Sequence, residues 1–176
     1  MSDLYNQIMS QRGSVESLMA RLPGFRGYLD NKVRRTADRL LRDYIADELT
    51  LRINRLVEVE KHILNDGGLS LMSVTASAKS KLQHFRDQVK TAAPGYSGLF
   101  EQVKLTAEDM ERIYTFDEAI IRYVDQFDDR LHTLENTVTD KGDIKAAIAE
   151  LDKLTIEAQE AFSLRDDILT HLGKSV

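Results

Sequence analysis

The stretch Thr106–Val138, TAEDMERIYTFDEAIIRYVDQFDDRLHTLENTV, decides the fold. Met110, Ile113, Ile120, Val124, Phe127, Leu131, Leu134 and Val138 recur three and four residues apart, which keeps an apolar seam on one side of an α-helix. Asp117 occupies the one seam position that should be apolar. Thr106 followed three residues later by Asp109 supplies an N-terminal cap. After the polar turn Asp140-Lys141-Gly142-Asp143, a second seam carries Ile144, Ile148, Leu151, Leu154, Ala158, Phe162, Ile168, Leu169 and Leu172, with Arg165 as its own misfit. Folded back as a hairpin, the two seams place Leu131 opposite Leu151, Val124 opposite Ala158, and Asp117 opposite Arg165. A charge on a buried seam must find a partner, so an Asp117–Arg165 ion pair that sets register is expected. Removing one partner should cost about 3–5 kcal/mol, whereas replacing both with leucine should be near neutral. A catalytic or metal-binding role for Asp117 would need a convergent partner group.

Upstream, Leu4, Tyr5, Ile8, Val15, Leu18, Met19 and Leu22 mark a first helix interrupted by Gly13 and stopped by Pro23-Gly24. From Tyr28, the positions Leu29, Val33, Ala37, Leu40, Leu41, Tyr44, Leu49, Ile53, Leu56 and Ile63 continue to Asn65 without a breaker. That helix would be about 57 Å long. Part of it is therefore expected to project or to pair with another chain. Gly67-Gly68 turns the chain into a third helix bearing Leu71, Ala78, Leu82, Phe85, Val89 and Ala92. The expected fold is all-α: an elongated antiparallel helical bundle, one domain over 1–176, with five helices near 3–21, 28–65, 69–92, 106–139 and 143–172.

Composition agrees with helices. The 176 residues are 42% apolar, 30% charged and 7% aromatic, and 9 Gly with 2 Pro leave little turn chemistry for a β fold. The absence of Cys excludes disulfides, zinc fingers, iron–sulfur ligation and thiol catalysis, and suits a cytoplasmic setting. The longest apolar run is Ala146–Ala149 and the start MSDLYNQ lacks a basic n-region, so neither a transmembrane helix nor a signal peptide is expected. The net charge of −5 hides an asymmetry: residues 1–100 carry 15 basic and 11 acidic side chains, whereas 101–176 carry 9 and 18. Either an anionic partner or attraction between the two halves, in one chain or between subunits, follows from that pattern.

Both prolines sit in a Pro-Gly-aromatic-x-Gly loop, Pro23-Gly24-Phe25-Arg26-Gly27 and Pro94-Gly95-Tyr96-Ser97-Gly98. The up-and-down topology returns both loops to one end, where Phe25, Tyr28, Tyr96 and Phe100 can cluster. Such aromatics plug the end of a core, or the glycine backbone and the cations Arg26, Lys32 and Arg35 offer a binding end for an anion. Lys32, Arg35, Arg39 and Arg42 form a basic stripe beside Arg34. The segments LPGFRGYLDNKVRRTADRLLRDYIADEL and PGYSGLFEQVKLTAEDMERIYTFDEAII resemble a group of uncharacterised, all-helical, cytoplasmic bacterial proteins, over roughly residues 1–135. That resemblance implies no activity, substrate or cofactor.

No constellation for catalysis stands out. Glu58/His62, Asp128/His132 and Asp167/His171 pair an acid and an imidazole at i and i+4, but no Glu-x-x-His of the di-iron bundles occurs. Gly-x-Ser-x-Gly, phosphate-loop and dinucleotide-loop motifs are absent. Neither a metal nor a cofactor is expected. The basic stripe is short and poor in adjacent aromatics, which argues against nucleic acid. The expected function is non-enzymatic protein–protein interaction or homo-oligomeric assembly. The alternative is peripheral binding of an anionic membrane surface or other polyanion through residues 21–42.

Overall fold

Residues 3–92 and 104–172 are described by the computed structural model of the chain. Among them are six α-helices, α1 (Asp3–Ser10), α2 (Val15–Arg21), α3 (Arg34–Asn65), α4 (Met72–Thr91), α5 (Ala107–Thr139) and α6 (Ile144–His171), with a 3-10 turn at Leu69–Leu71 ahead of α4. The fold is an all-α helical bundle. Capping residues explain where several helices start. The Thr106 hydroxyl accepts from the Asp109 amide at 3.1 Å while the Asp109 carboxylate accepts from the Thr106 amide at 3.0 Å. Asp143 caps α6 through the Ala146 amide, and Ser14 caps α2 through the Ser17 amide.

Four long helices form a square in the order α3, α4, α6, α5, with α3/α6 and α4/α5 on the diagonals. Side-chain pairs give their directions. Lys79–Glu60 makes α3 and α4 antiparallel, Arg165–Asp117 with Arg130–Glu150 makes α5 and α6 antiparallel, and Arg55 reaching both Asp128 and Glu135 fits a parallel α3 and α5. The first turns of α3 and α5 and the last turns of α4 and α6 therefore share one end, the loop end. Residues 66–71 and 140–143 turn at the other.

Two boundaries differ from the sequence reading. The segment 3–21 is two helices, because the chain at Gly13 presses on α5: a Cβ there would lie 2.5 Å from the Tyr114 carbonyl oxygen. The second long helix begins at Arg34 rather than Tyr28, so Leu29 and Val33 belong to the preceding loop. Nor does any part of it project. α3, α5 and α6 have 32, 33 and 28 residues, and α3 buries a side chain on every turn from Arg34 to Ile63.

The two halves of α5 differ in coverage. From Phe127 onward only the seam residues Phe127, Leu131, Leu134 and Val138 are buried, whereas before it Ile113, Phe116, Asp117, Ala119, Ile120, Ile121, Tyr123 and Val124 all are. α1 and α2 supply the extra cover: the Gly13 amide donates to Thr115 Oγ1 at 3.2 Å, and Arg21 pairs with Asp125 at 2.6 Å. The charge asymmetry of the halves is met in part within the chain, since Arg12, Arg21, Arg55 and Lys81 each pair with a carboxylate of the second half. No helix among the described residues is long and apolar enough to cross a membrane.

Candidate functional site

The loop between α2 and α3 carries most of the residues singled out from the sequence. Gly24 and Gly27 take φ of +85° and +76°, which lets the chain double back after α2. At Gly27 a Cβ would also lie 2.6 Å from Tyr114 Oη, so a side chain there would have to push that ring aside. That closeness lets the Tyr28 amide donate to Tyr114 Oη at 3.0 Å while the two rings stack at 5.5 Å. Phe25 meets the Tyr28 ring edge-on, and both are buried. They are core plugs, not surface groups. Tyr96 and Phe100 lie outside the described residues.

Beneath Tyr28 is a buried polar layer. Tyr28 Oη donates to Asp117 Oδ2 at 2.6 Å, and Arg165 Nε donates to Asp117 Oδ1 at 2.5 Å. Arg165 then crosses the square's diagonal to Asp38 Oδ1 at 2.8 Å. Arg42 Nε donates to the other Asp38 oxygen at 2.9 Å and its Nη1 to the Ala92 carbonyl at 2.7 Å. Arg34 Nε closes the layer on the Tyr28 carbonyl at 2.7 Å. The layer thus ties α3, α5, α6 and the loop together. Burial pushes the Asp117 carboxyl above its usual range, against the opposing pull of Arg165 and Tyr28, and raises the Tyr28 phenol well above 10 with the Asp117 charge adding to it.

The Asp117–Arg165 meeting was foreseen from the seams; Asp38, Arg42 and Tyr28 as its companions were not. Arg34, grouped with the surface cations in the sequence reading, is 3% exposed and belongs to the layer. Its charge is not available to a partner, and burial depresses its pKa. Arg42 is likewise consumed by Asp38 and Ala92. With Asp117, Asp38 and Arg165 at most 2% exposed, a substrate would have to open the bundle to reach them.

The exposed remainder is a basic rim. Arg26, Lys32, Arg35 and Arg39 are all exposed, and Arg26 and Lys32 form no ion pair among the described residues. Arg39 approaches Asp43 only at 3.6 Å, and the Asp30 carboxylate accepts from the Lys32 amide at 2.9 Å. Between Arg26 and Lys32 stands Leu29, 74% exposed. The three acid/His pairs are on exposed faces, and no group of three potential ligands for a metal exists among the described residues. No protein-family model matches the sequence, and no curated protein or solved structure matches it.

Proposed function

We propose that this chain is a non-enzymatic interaction module whose basic, leucine-tipped loop end docks on an anionic acceptor. The observation that carries the reading is Leu29, 74% exposed and flanked in sequence by Arg26 and Lys32, which form no ion pair among the described residues. Isolated exposed leucines are ordinary on protein surfaces. This one is pinned in place, because Tyr28 beside it is anchored to Tyr114 and Asp117. Little ordering entropy is lost when such a preorganised tip binds. Part of the long helix and of the charge asymmetry, which first suggested assembly, is used in packing within the chain, and the exposed rim is the feature that supports docking.

The test is retention on a heparin column at low salt. Wild type should bind, and Arg26→Glu/Lys32→Glu should elute at clearly lower salt, since lost cations reduce counterion release. Leu29→Ser should shift elution less. Failure of the wild type to bind, or an unchanged elution of the double reversal, would overturn the proposal. Reversal at Arg34 is not a usable probe, because it would place a carboxylate in the buried layer.

A further inference from the structure

The far end of the same chain carries a groove complementary to its loop end. Between the last turns of α3 and α5 lies a cavity of about 390 Å³, floored by Val59 and Val138 and walled by Glu58, His62, Asp66 and Glu135. Its balance is acidic. Glu58, Asp66, Glu135 and the adjacent Asp128 face three cations, Lys61 on Glu58, Arg55 shared by Asp128 and Glu135, and Arg52 at 3.9 Å from Asp128. Asp66 is exposed with no ion pair among the described residues.

We infer that this groove receives the loop end of a second copy of the chain, with Leu29 over the Val59–Val138 floor and Arg26 and Lys32 against Glu58 and Asp66. The inference rests on the proposed role of the loop end and names its acceptor. Charge complementarity selects the occupant: Arg26 and Lys32 form no ion pair among the described residues, and neither does Asp66 at the groove. An apolar tip with a cationic rim meets an apolar floor with an anionic rim. The contact is heterologous, since each docking leaves one end and one groove open, so copies add in line rather than closing as a dimer.

Light scattering tests it with a charge swap. At low salt the wild-type mass should rise with concentration above the single-chain 20.0 kDa without a plateau, and should return to it at high salt. Arg26→Glu/Lys32→Glu and Glu58→Lys/Asp66→Lys should each be single chains, and mixing the two variants should restore association, because each then offers what the other lacks. All four positions are exposed, so unchanged helical circular dichroism is expected, and Leu29→Ser is an independent variant that should weaken association without altering charge. A wild type that stays a single chain, a closed dimer, or a mixture that fails to associate overturns the inference. Sedimentation with vesicles of phosphatidylcholine, with and without phosphatidylserine, separates the two claims. A single-chain wild type that pellets only with phosphatidylserine, and loses this on Arg26/Lys32 reversal, sinks the second-copy acceptor while leaving the loop end as the docking site; no binding to vesicles, heparin or itself sinks both.

Discussion

Two arginines of the bundle are each held by two carboxylates of other helices: Arg165 by Asp117 of α5 and Asp38 of α3 at the loop end, and Arg55 by Asp128 and Glu135, both of α5, toward the other end. The distances are alike, between 2.5 and 2.9 Å, but the arginine side chains are 3% and 29% exposed. The consequences are opposite in sign. Burial outweighs Arg165 and pushes the Asp117 carboxyl up, whereas Arg55 outweighs the partial burial of Glu135 and holds it down. A buried clamp is thus a specificity device, costly to assemble and costlier to break, while the half-exposed one is a marginal stabiliser.

The largest expected effect breaks the clamps one at a time. Arg165→Leu leaves Asp117 without its cation and should cost about 3–5 kcal/mol, or about 6–20 °C in Tm, whereas Arg55→Leu should cost less than about 1 kcal/mol. Equal losses in thermal melts would erase the distinction. The paired replacement Asp117→Leu/Arg165→Leu, near neutral if the layer held only two charges, should instead remain about 2–3 kcal/mol destabilised. It removes Asp117 and Arg165 from the buried Tyr28 hydroxyl and takes a cation from Asp38. Adding Tyr28→Phe should recover about 1 kcal/mol, because it removes the hydroxyl that has lost those two partners.

The turn glycines of the two ends sharpen the contrast at smaller magnitude. Gly27 and Gly67 both have positive φ, +76° and +85°, so alanine is strained at either by about 1 kcal/mol. Only Gly27 also faces a wall, Tyr114 Oη at 2.6 Å, while nothing lies within 4 Å of a Cβ at Gly67. Gly27→Ala must displace the Tyr114 ring from Tyr28 and should cost about 2–3 kcal/mol against about 1 for Gly67→Ala. Urea unfolding of the two variants checks this, and near-ultraviolet circular dichroism should change for Gly27→Ala alone.

What was legible in the sequence follows from geometry. The Asp117–Arg165 pair lies on a hairpin, where antiparallel register is a one-dimensional problem and two seam misfits can be matched by counting. Asp38 reaches Arg165 across the diagonal of four helices, a relation that no single helix pattern encodes. Arg34 was misplaced because Leu29, Val33, Leu40 and Tyr44 were counted with Ala37, Leu41 and Leu49 as one apolar series, which blurred the buried face. The row Ala37, Leu41, Ile45 and Leu49, spaced by four, carries the correct face and puts Arg34 and Asp38 beside it. Leu29, the residue on which the proposed docking turns, was hidden by the same misreading, since an apolar residue assigned to a seam gives no hint of exposure.

The finest test of the comparison is the slope of stability with pH. Glu135 has a folded pKa below its usual 4.5, so its contribution is present above 4.5 and is lost as pH falls through the lower folded value. The stability difference between wild type and Glu135→Gln, no more than about 0.5 kcal/mol at neutral pH, should therefore shrink toward acid. Asp117 runs the other way. Its folded pKa lies above 3.8, so between those two values the native state holds a proton that the unfolded chain releases, and wild type should gain on Asp117→Asn as pH falls through that window. Urea unfolding of the three proteins from about pH 7 to about pH 4 reads both slopes together. Slopes of the same sign would mean that Arg165 outweighs burial at Asp117 after all, and the two clamps would then differ in strength but not in kind.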